Sequence, residues 1–297
     1  MDNFQGGVKS KAGALQLNSH IVDMNSASVS VIIPCYRCSE TIARALASVA
    51  TQTMLPKEVI LVEDASPDNG LTLQALNEQA AKYADSFEVK VIVLNHNQGA
   101  ANARNVGWSV ASQPYIALLD ADDAWHPQKI EVQYQFMLKN PQVVLCGHDA
   151  KMVTDDSQPD WPLGGCDFKT ISKTRLLISN PFVTPSVMMK KDIVLRFNPT
   201  KRYVDDHLLW LQIAFDDYKV VKLSPALVAI YKPMFGASGL SSHLWAMEKA
   251  ELGNYWLLYK NKNIGFILVA TLSVYSLAKY LRRLIIVSLR RAAFVKN

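Results

Sequence analysis

The chain has 297 residues, of which 49% are hydrophobic and 19% are charged, and its formal net charge is +5. This composition excludes a disordered or collagen-like protein and allows one large domain, or one domain with an appendage. Six basic residues and no acidic residue follow Ala278, so residues 1–278 carry a net charge of −1. A nearly neutral body argues against a general nucleic-acid-binding surface and places the positive charge in the C-terminal tail.

The N-terminal residues and the cysteines carry no recognisable chemistry. Residues 1–27 hold few large apolar side chains and predict a mobile extension, and they lack the apolar core of a signal peptide. Four scattered cysteines are too few for a disulfide scaffold, which favours a reducing, cytosolic setting. Cys35 and Cys38 have CxxC spacing, but without a second pair we interpret them as incidental thiols rather than zinc ligands.

From Ser28 onwards, short apolar runs alternate with longer amphipathic stretches. The runs predict buried strands at 29–34, 58–63, 89–94 and 115–119, and the stretches between them predict helices near 40–51, 71–84 and 100–112. Each helix is long enough for a crossover connection, so we expect an α/β fold with a mostly parallel sheet and helices on both faces. Ligands of such sheets bind beyond the carboxyl ends of the strands.

The pattern continues with a helix at 129–140, a strand at 143–147, a helix at 208–215 and a closing strand pair at 220–231. Between these elements, residues 150–200 are irregular and contain five prolines. We expect this region to fold over the sheet edge and shape a substrate cleft, with Thr184–Ser186 either lining that cleft or forming a simple turn.

An acidic motif, Asp120-Ala121-Asp122-Asp123, directly follows the predicted strand at 115–119. Three carboxylates within four residues repel one another unless a cation neutralises them. Hard oxygen ligands beside an open cleft suit Mg²⁺ or Mn²⁺ held partly through substrate phosphates. The alternative is a solvated acidic turn before the next helix.

Two further turns carry polar side chains at strand ends. The Asp64 carboxylate could accept hydrogen bonds from a nucleobase or a ribose, whereas Asp68 or Ser66 could simply cap the helix that begins near Leu71. After the third strand, Asn97 and Gly99 lead into a helix that carries Arg104. Glycine there permits close backbone approach, and Arg104 is either a diphosphate ligand or a solvated surface residue.

Taken together, these segments resemble the family 2 glycosyltransferases, whose fold is called GT-A, over roughly residues 28–235. The segments that carry the resemblance lie at 29–36, 52–53, 60–66, 97–99, 103–107 and 119–123. The resemblance implies that the donor-binding site contains Pro34, Tyr36, Asn97, Gly99 and Arg104. It also implies that Asp64 binds the base and that Asp120 contacts the ribose or sugar. Asp122 is then the principal metal ligand, with Asp123 a weaker one.

A last motif, Val204-Asp205-Asp206-His207 before a Leu-Trp run, resembles the acidic pair of this family whose second member is the catalytic base. Asp205 stands where the family has Glu, and Asp206 is the implied base. The alternative is that either acid caps the helix. His207 would tune the base or lie on the surface. The Gln-x-x-Arg-Trp signature of processive members is absent from the sequence, which disfavours a polymer synthase.

The resemblance therefore implies an inverting transfer of a sugar from a nucleotide diphosphate donor, most simply a UDP-sugar, with Mn²⁺ or Mg²⁺ as cofactor. The sequence divides into the extension, a catalytic domain at 28–245 and a C-terminal helical region at 246–297. Two alternatives stay open: transfer to a protein or a soluble sugar, and a nucleotide-sugar-binding scaffold without turnover.

The tail predicts an amphipathic helix at a membrane surface. Residues 264–278 are uncharged but would form a helix of only about 22 Å, short of a bilayer core of about 30 Å. Beyond them, a helical projection separates an apolar face (Leu281, Leu284, Ile285, Ser288 and Ala292) from a basic face (Lys279, Arg282, Arg283 and Arg290). This pattern favours peripheral binding of residues 264–297 to an anionic membrane, on the cytoplasmic face, with a lipid-linked glycan as acceptor. A helix packed on the domain and an oligomer interface are the alternatives.

Overall fold

The computed structural model describes residues 26–153, 161–231 and 243–294, the side chains after residue 287 excepted. Most of the predicted N-terminal extension lies outside these ranges, but Ser26 and Ala27 belong to the first strand. The strands are β1 (Ser26–Cys35), β2 (Leu55–Glu63), β3 (Glu88–Val93), β4 (Tyr115–Leu118), β5 (Ala124–Trp125), β6 (Val143–Met152), β7 (Phe168–Thr170), β8 (Met188–Lys190) and β9 (Lys219–Ile230). The helices are α1 (Ile42–Ala50), α2 (Leu71–Lys82), α3 (Ala100–Val110), α4 (Lys129–Lys139), α5 (Lys173–Ile178), α6 (Asp205–Phe215), α7 (Leu244–Lys260) and α8 (Phe266–Phe294).

The strands form one mixed sheet in the order β3-β2-β1-β4-β8-β6-β9-β5, with β7 also paired to β9. The first four strands in this order are parallel, so the predicted α/β class with a mostly parallel sheet is confirmed. The predicted strand pair at 220–231 is wrong, because β9 is a single strand whose antiparallel partners, β5 and β7, come from earlier in the chain. The irregular region supplies β8, which pairs with β4 and β6.

Two hydrophobic cores cover the two faces of the sheet. Successive residues of β1 point to opposite faces, so Ile32 packs with Trp108 of α3, whereas Val31 and Ile33 pack with Leu46 of α1. Helix α3 lies close to the sheet at Gly107, where an added Cβ would come within 2.5 Å of the Ile32 side chain. This close approach sets the distance between α3 and the sheet.

The C-terminal helices pack on the same face of the sheet as α3 and α6. Tyr255 and Leu258 of α7, with Val269 and Leu272 of α8, are buried in the core that also contains Trp210 of α6. Within the described ranges, none of the helices combines the length and the apolar character needed to cross a bilayer. Helix α8 therefore has one face against the domain and another directed outward.

Candidate active site

The carboxyl ends of β1, β2 and β4 open onto a cleft of about 780 Å³. The turn before α6 and the helices α7 and α8 supply further parts of its wall. The predicted site residues that line it are Pro34, Tyr36, Asp64, Arg104, Asp120, Asp122, Asp123 and Asp206. Asn97 and Gly99 contact the Asp64 carboxylate instead of contributing to the wall. Motifs from distant parts of the chain therefore meet at one edge of the sheet, as the topology requires.

The turns after β1 and β2 have left-handed backbones. Arg37 and Ala65 have φ angles of 50° and 49°, a conformation that few non-glycine residues adopt. The Arg37 amide donates to the Ser66 hydroxyl at 2.9 Å and so ties the two turns together. The Arg37 guanidinium lies 5.5 Å from the centre of the Tyr36 ring. The strained turns thereby hold Tyr36 and Arg37 in the cleft wall.

Asp64 is the junction between β2 and the start of α3. Its carboxylate accepts hydrogen bonds from the Asn97 side chain at 3.0 Å and from the amides of Gln98 and Gly99 at 2.7 and 2.8 Å. Gly99 has a φ of 84° and a ψ of 162°, which only glycine adopts readily. Burial raises the pKa of Asp64, and the two amide hydrogen bonds oppose that rise. Asp64 lines the cleft with a carboxylate that is already held in one orientation.

Arg104 is a buried residue that joins two motifs of the site. Its Nη2 donates to Asp120 Oδ1 at 2.8 Å, its Nη1 lies 3.5 Å from Asp205 Oδ2, and its guanidinium stacks 5.5 Å from the Phe197 ring centre. The alternative of a solvated surface arginine is therefore wrong. Burial raises the pKa of Asp205 to about 6, although the charge of Arg104 opposes this shift. Arg104 holds β4 and α6 together electrostatically.

The acidic motif after β4 is a tight turn in the cleft wall. The Asp123 amide donates to the Asp120 carbonyl at 3.1 Å, and Arg44 of α1 donates to the Asp122 carbonyl at 2.8 Å. Asp123 is buried, and burial also raises the pKa of Asp120. The described residues contain no group of three His, Cys, Asp or Glu side chains arranged as a metal site. All three residues of the motif nonetheless border the cleft, and the burial of Asp123 contradicts a fully solvated turn.

Asp206, in the first turn of α6, directs its carboxylate into the cleft. Oδ2 accepts from the Thr184 hydroxyl at 3.0 Å and from the Asn180 side-chain amide at 3.3 Å. Oδ1 accepts from the backbone amide of His207 at 2.6 Å. Thr184 therefore lines the cleft, as one reading of the proline-rich region predicted. Asp206 and its neighbour Asp205 diverge, because Asp205 faces Arg104. An oriented carboxylate beside open space is equipped to accept a proton.

The turn before α6 is strained and is held by α7. Val204 has a φ of 55°, an outlier for a β-branched residue. Its carbonyl accepts a hydrogen bond from the Asn254 side chain at 3.0 Å, and Lys201 donates to the Ala250 carbonyl at 3.1 Å. Asn254 is fully buried. Helix α7 thus fixes the backbone from which Asp206 projects, a contact for which the sequence offers no signal.

The basic face predicted for the tail does not point outward as a whole. Lys279 and Arg283 line the cleft, and both lie beside Glu251 of α7, at 2.9 and 3.9 Å. The expectation of a single outward basic face is therefore wrong for these two residues, because the helical projection could not reveal which side of α8 the domain covers. Arg282 is exposed, while the side chains of Ser288, Arg290 and Ala292 lie outside the described residues.

His207 is buried, so of the two alternatives left open for it the surface position is wrong. Its Nε2 lies 2.7 Å from the Leu176 carbonyl, and burial lowers its pKa. The ring packs between α6 and α5 and borders the cleft. Cys35 and Cys38 are likewise buried, as free thiols at the end of β1 and in the turn that follows.

Comparisons with known proteins agree with this geometry. Residues 30–195 match the family model described as glycosyl transferase family 2. The chain is 28% identical over 194 residues to the Escherichia coli UDP-Glc:α-D-GlcNAc-diphosphoundecaprenol β-1,3-glucosyltransferase WfgD, which covers 65% of this chain and 72% of that protein. It is 27% identical over 248 residues to the amylovoran biosynthesis glycosyltransferase AmsE of Erwinia amylovora, with coverage of 80% and 88%.

A solved structure confirms the GT-A fold. The mannosyltransferase PcManGT from Pyrobaculum calidifontis, in complex with GDP-Man and Mn²⁺, superposes with a TM-score of 0.62. The alignment covers 92% of this chain and 79% of that one, at 16% sequence identity. At this identity the likeness concerns the fold alone.

Proposed function

The chain belongs to glycosyl transferase family 2, and from that membership and the cleft we propose that it transfers a sugar, with inversion, from a UDP-sugar to a hydroxyl of a lipid-linked saccharide. The observation that carries the proposal is the convergence in one cleft of an oriented carboxylate, Asp206, with the acidic motif after β4. The name of WfgD gives a UDP-linked donor and a diphosphoundecaprenol-linked acceptor, which supports the same classes of substrate here.

In the proposed reaction, Asp206 is the general base. The acceptor hydroxyl oxygen forms a bond to the anomeric carbon as the bond from that carbon to the diphosphate breaks, and the hydroxyl proton passes to Asp206. Attack from the side opposite the leaving group inverts the configuration. Thr184 and Asn180 support this role, because their hydrogen bonds to Oδ2 orient the carboxylate before the acceptor arrives.

The donor would lie along the ends of β1, β2 and β4. Pro34 and Tyr36 would border the nucleotide, Asp64 would recognise the base, and Asp120 would contact the ribose or the sugar. Arg104, whose guanidinium contacts Asp120 and Asp205, would act chiefly by holding these acids in place. The hydrogen bonds from Asn97 and Gly99 to the Asp64 carboxylate support this arrangement, since they orient the carboxylate before the nucleotide binds.

A divalent ion, Mn²⁺ or Mg²⁺, would be held by Asp122, with Asp123 as a weaker ligand. The donor set fits, because Mg²⁺ commonly takes one or two protein carboxylates and completes its shell with substrate phosphates and water. When bound, such an ion neutralises the charge that develops on the leaving diphosphate.

We expect the substitution Asp122→Ala to weaken Mn²⁺-dependent binding of UDP by at least about tenfold, roughly 1.4 kcal/mol. Titration calorimetry of UDP with and without Mn²⁺ measures this directly. The matched control is Asp123→Ala, which we expect to have a smaller effect. Equal UDP affinity for Asp122→Ala and the wild type in Mn²⁺ would contradict the metal assignment.

The overall proposal is tested by the release of UDP. The purified enzyme is incubated with Mn²⁺ and UDP-glucose, UDP-galactose or UDP-N-acetylglucosamine, with and without a synthetic N-acetylglucosaminyl diphosphate lipid. We expect one donor to release UDP only when the lipid acceptor is present. Stabilisation of the protein by a donor in a thermal-shift assay, without UDP release under any condition, would instead indicate a scaffold.

We further propose that the outward face of α8 binds the surface of an anionic membrane at its cytoplasmic side. Exposed apolar residues recur at helical spacing along this face, with Ile267 82% exposed and Val274 70% exposed, followed by Leu281 and Ile285. Arg282, exposed on the same helix, supports attraction to anionic lipid headgroups.

Because α8 also lines the cleft, point substitutions test this idea better than deletion of the tail. We expect the double substitution Ile267→Glu and Val274→Glu to lower binding to phosphatidylglycerol vesicles by at least about tenfold, since each removes an apolar side chain worth about 1.5–3 kcal/mol when buried. The matched control is Val194→Glu, at a position that is 90% exposed elsewhere on the domain. Unchanged vesicle co-sedimentation of the double variant would defeat the proposal. If the wild type proves to be an oligomer and the double variant a monomer, α8 is an oligomer interface instead.

A further inference from the structure

The cleft has a basic part, formed by Lys279 and Arg283 on consecutive turns of α8. Their side chains are only 20% and 24% exposed, so they belong to the wall and are not freely solvated. No motif of the sequence assigns them to the site, and the charge pattern of the tail predicts the opposite orientation.

Glu251 of α7 holds this basic pair. Its side chain is 9% exposed, and its Oε1 accepts from Lys279 at 2.9 Å and lies 2.9 Å from the Tyr255 hydroxyl. Burial would raise the pKa of Glu251, but the hydrogen bond and the charge of Lys279 outweigh it and lower the pKa. Lys279 also donates to the Ile178 carbonyl at 3.1 Å. The buried carboxylate stays ionised and keeps the ammonium and guanidinium groups at the cleft.

Carboxylates predominate on one side of the cleft. The strand ends and the start of α6 supply Asp120, Asp122, Asp123 and Asp206, which suit a metal ion and a proton acceptor but repel a bare phosphate. The cations on that side are Arg37 and Arg104, and Arg104 is paired with Asp120 and Asp205. Lys279 and Arg283 supply the ammonium and the forked guanidinium donors that bind phosphate oxygens. A reaction that brings together a donor diphosphate and an acceptor diphosphate needs cationic groups for both.

The position of Lys279 and Arg283 favours binding of the acceptor diphosphate over binding of the donor diphosphate. Helix α8 presents its apolar residues, Ile267 and Val274 among them, on its outward side and Lys279 and Arg283 on its cleft side. A helix lying in the membrane surface would therefore hold these two cations at the depth of lipid headgroups. Resting on the function proposed above, we infer that Lys279 and Arg283 form a subsite for the diphosphate of the lipid-linked acceptor, with Glu251 as its positioning residue.

The test uses farnesyl diphosphate as the probe for a lipid diphosphate and UDP with Mn²⁺ as the probe for the donor. We expect Lys279→Gln combined with Arg283→Gln to weaken binding of farnesyl diphosphate at least about tenfold and to change UDP binding less than about twofold. The charge-conserving pair Lys279→Arg and Arg283→Lys should retain most of the affinity. The matched control, Arg175→Gln with Lys260→Gln, removes the same charge from exposed positions and should bind both probes like the wild type.

Three results would overturn the inference: unchanged affinity for farnesyl diphosphate in the double variant, an equal loss in the matched control, or a loss confined to UDP, which would assign the pair to the donor. Arg283→Gln alone is measured as well, because its contact with Glu251 is long, at 3.9 Å, and its loss leaves the buried Lys279–Glu251 pair intact. UDP release by the wild-type enzyme distinguishes failure of the proposed subsite from failure of the proposed function. If it occurs while the lipid probe is insensitive to these changes, only the subsite fails; if it is absent with every donor, the proposed function fails.

Discussion

Replacing Asp206 with Asn is expected to lower the rate of sugar transfer by about 10²–10⁴-fold, the range over which general base catalysis contributes. The affinity for UDP in Mn²⁺ should stay within about twofold of the wild type. Asparagine has nearly the shape of aspartate. With its oxygen in place of Oδ1 it still accepts from the His207 backbone amide, and its NH2 group, in place of Oδ2, can donate to the Thr184 hydroxyl oxygen. What is lost is the ability to take a proton from the acceptor hydroxyl. Initial rates of UDP release at saturating substrates measure the effect.

The neighbouring acid provides the matched control. Asp205→Asn makes the same chemical change one residue away, at a carboxylate that contacts Arg104. We expect it to reduce transfer by no more than about tenfold, through a small shift of the turn and not through lost proton transfer. Turnover at the wild-type rate by Asp206→Asn, or a larger loss in Asp205→Asn, would move the base to another residue.

Arg104→Met is expected to lower the free energy of unfolding by about 3–5 kcal/mol at pH 8, the cost of removing one partner from a buried ionic group. The substitution keeps much of the side-chain volume but leaves Asp120 and Asp205 facing each other without their shared cation. Urea unfolding followed by tryptophan fluorescence measures the loss. A loss below about 1 kcal/mol would mean that the Arg104 contacts contribute no more than surface ion pairs do.

The loss in free energy of unfolding caused by Arg104→Met should become smaller as the pH falls. Burial already raises the pKa of Asp205 to about 6, and removing Arg104 raises it further. An acid whose folded-state pKa exceeds its unfolded value of about 4 destabilises the protein fully above the folded pKa, and this cost disappears as the pH approaches the unfolded value. The variant should therefore lose less stability at pH 5 than at pH 8.

Arg196→Met is the control for this pH dependence. Arg196 stacks 4.2 Å from the Trp108 ring centre and donates to the carbonyls of Ile193 and Leu195. Its replacement should cost about the same at both pH values, because its contacts are to backbone and to an aromatic ring. Parallel pH dependence in both variants would show that Asp120 and Asp205 are not the titrating groups.

The parts of the site that are predictable from sequence are those in which local pattern and sheet topology act together. β-Branched runs predict the parallel strands, and the polar residues that follow them, such as Asp64 and Asp122, must then meet at one edge. The same reasoning does not reach Asn180 or Glu251, because each enters the site through a packing contact between elements far apart in sequence.

The errors have a common physical origin. A helical projection assigns the apolar and basic residues of α8 to different faces, but only tertiary packing decides which of them is covered, and it turns Lys279 towards the cleft. His207 is polar enough to suggest a surface position, yet the Leu176 carbonyl gives its ring a partner inside the core. In both cases a long-range contact overrides the local preference.

The strained turn at Val204 links the catalytic cleft mechanically to the C-terminal helix α7. Its left-handed backbone carries Asp206 on one side and is fastened to α7 by Asn254 on the other. An enzyme shortened before α7 would keep its donor motifs but release the segment that aims its base. Lost activity in such a truncated enzyme would report a misaligned proton acceptor as much as a failure to reach the membrane.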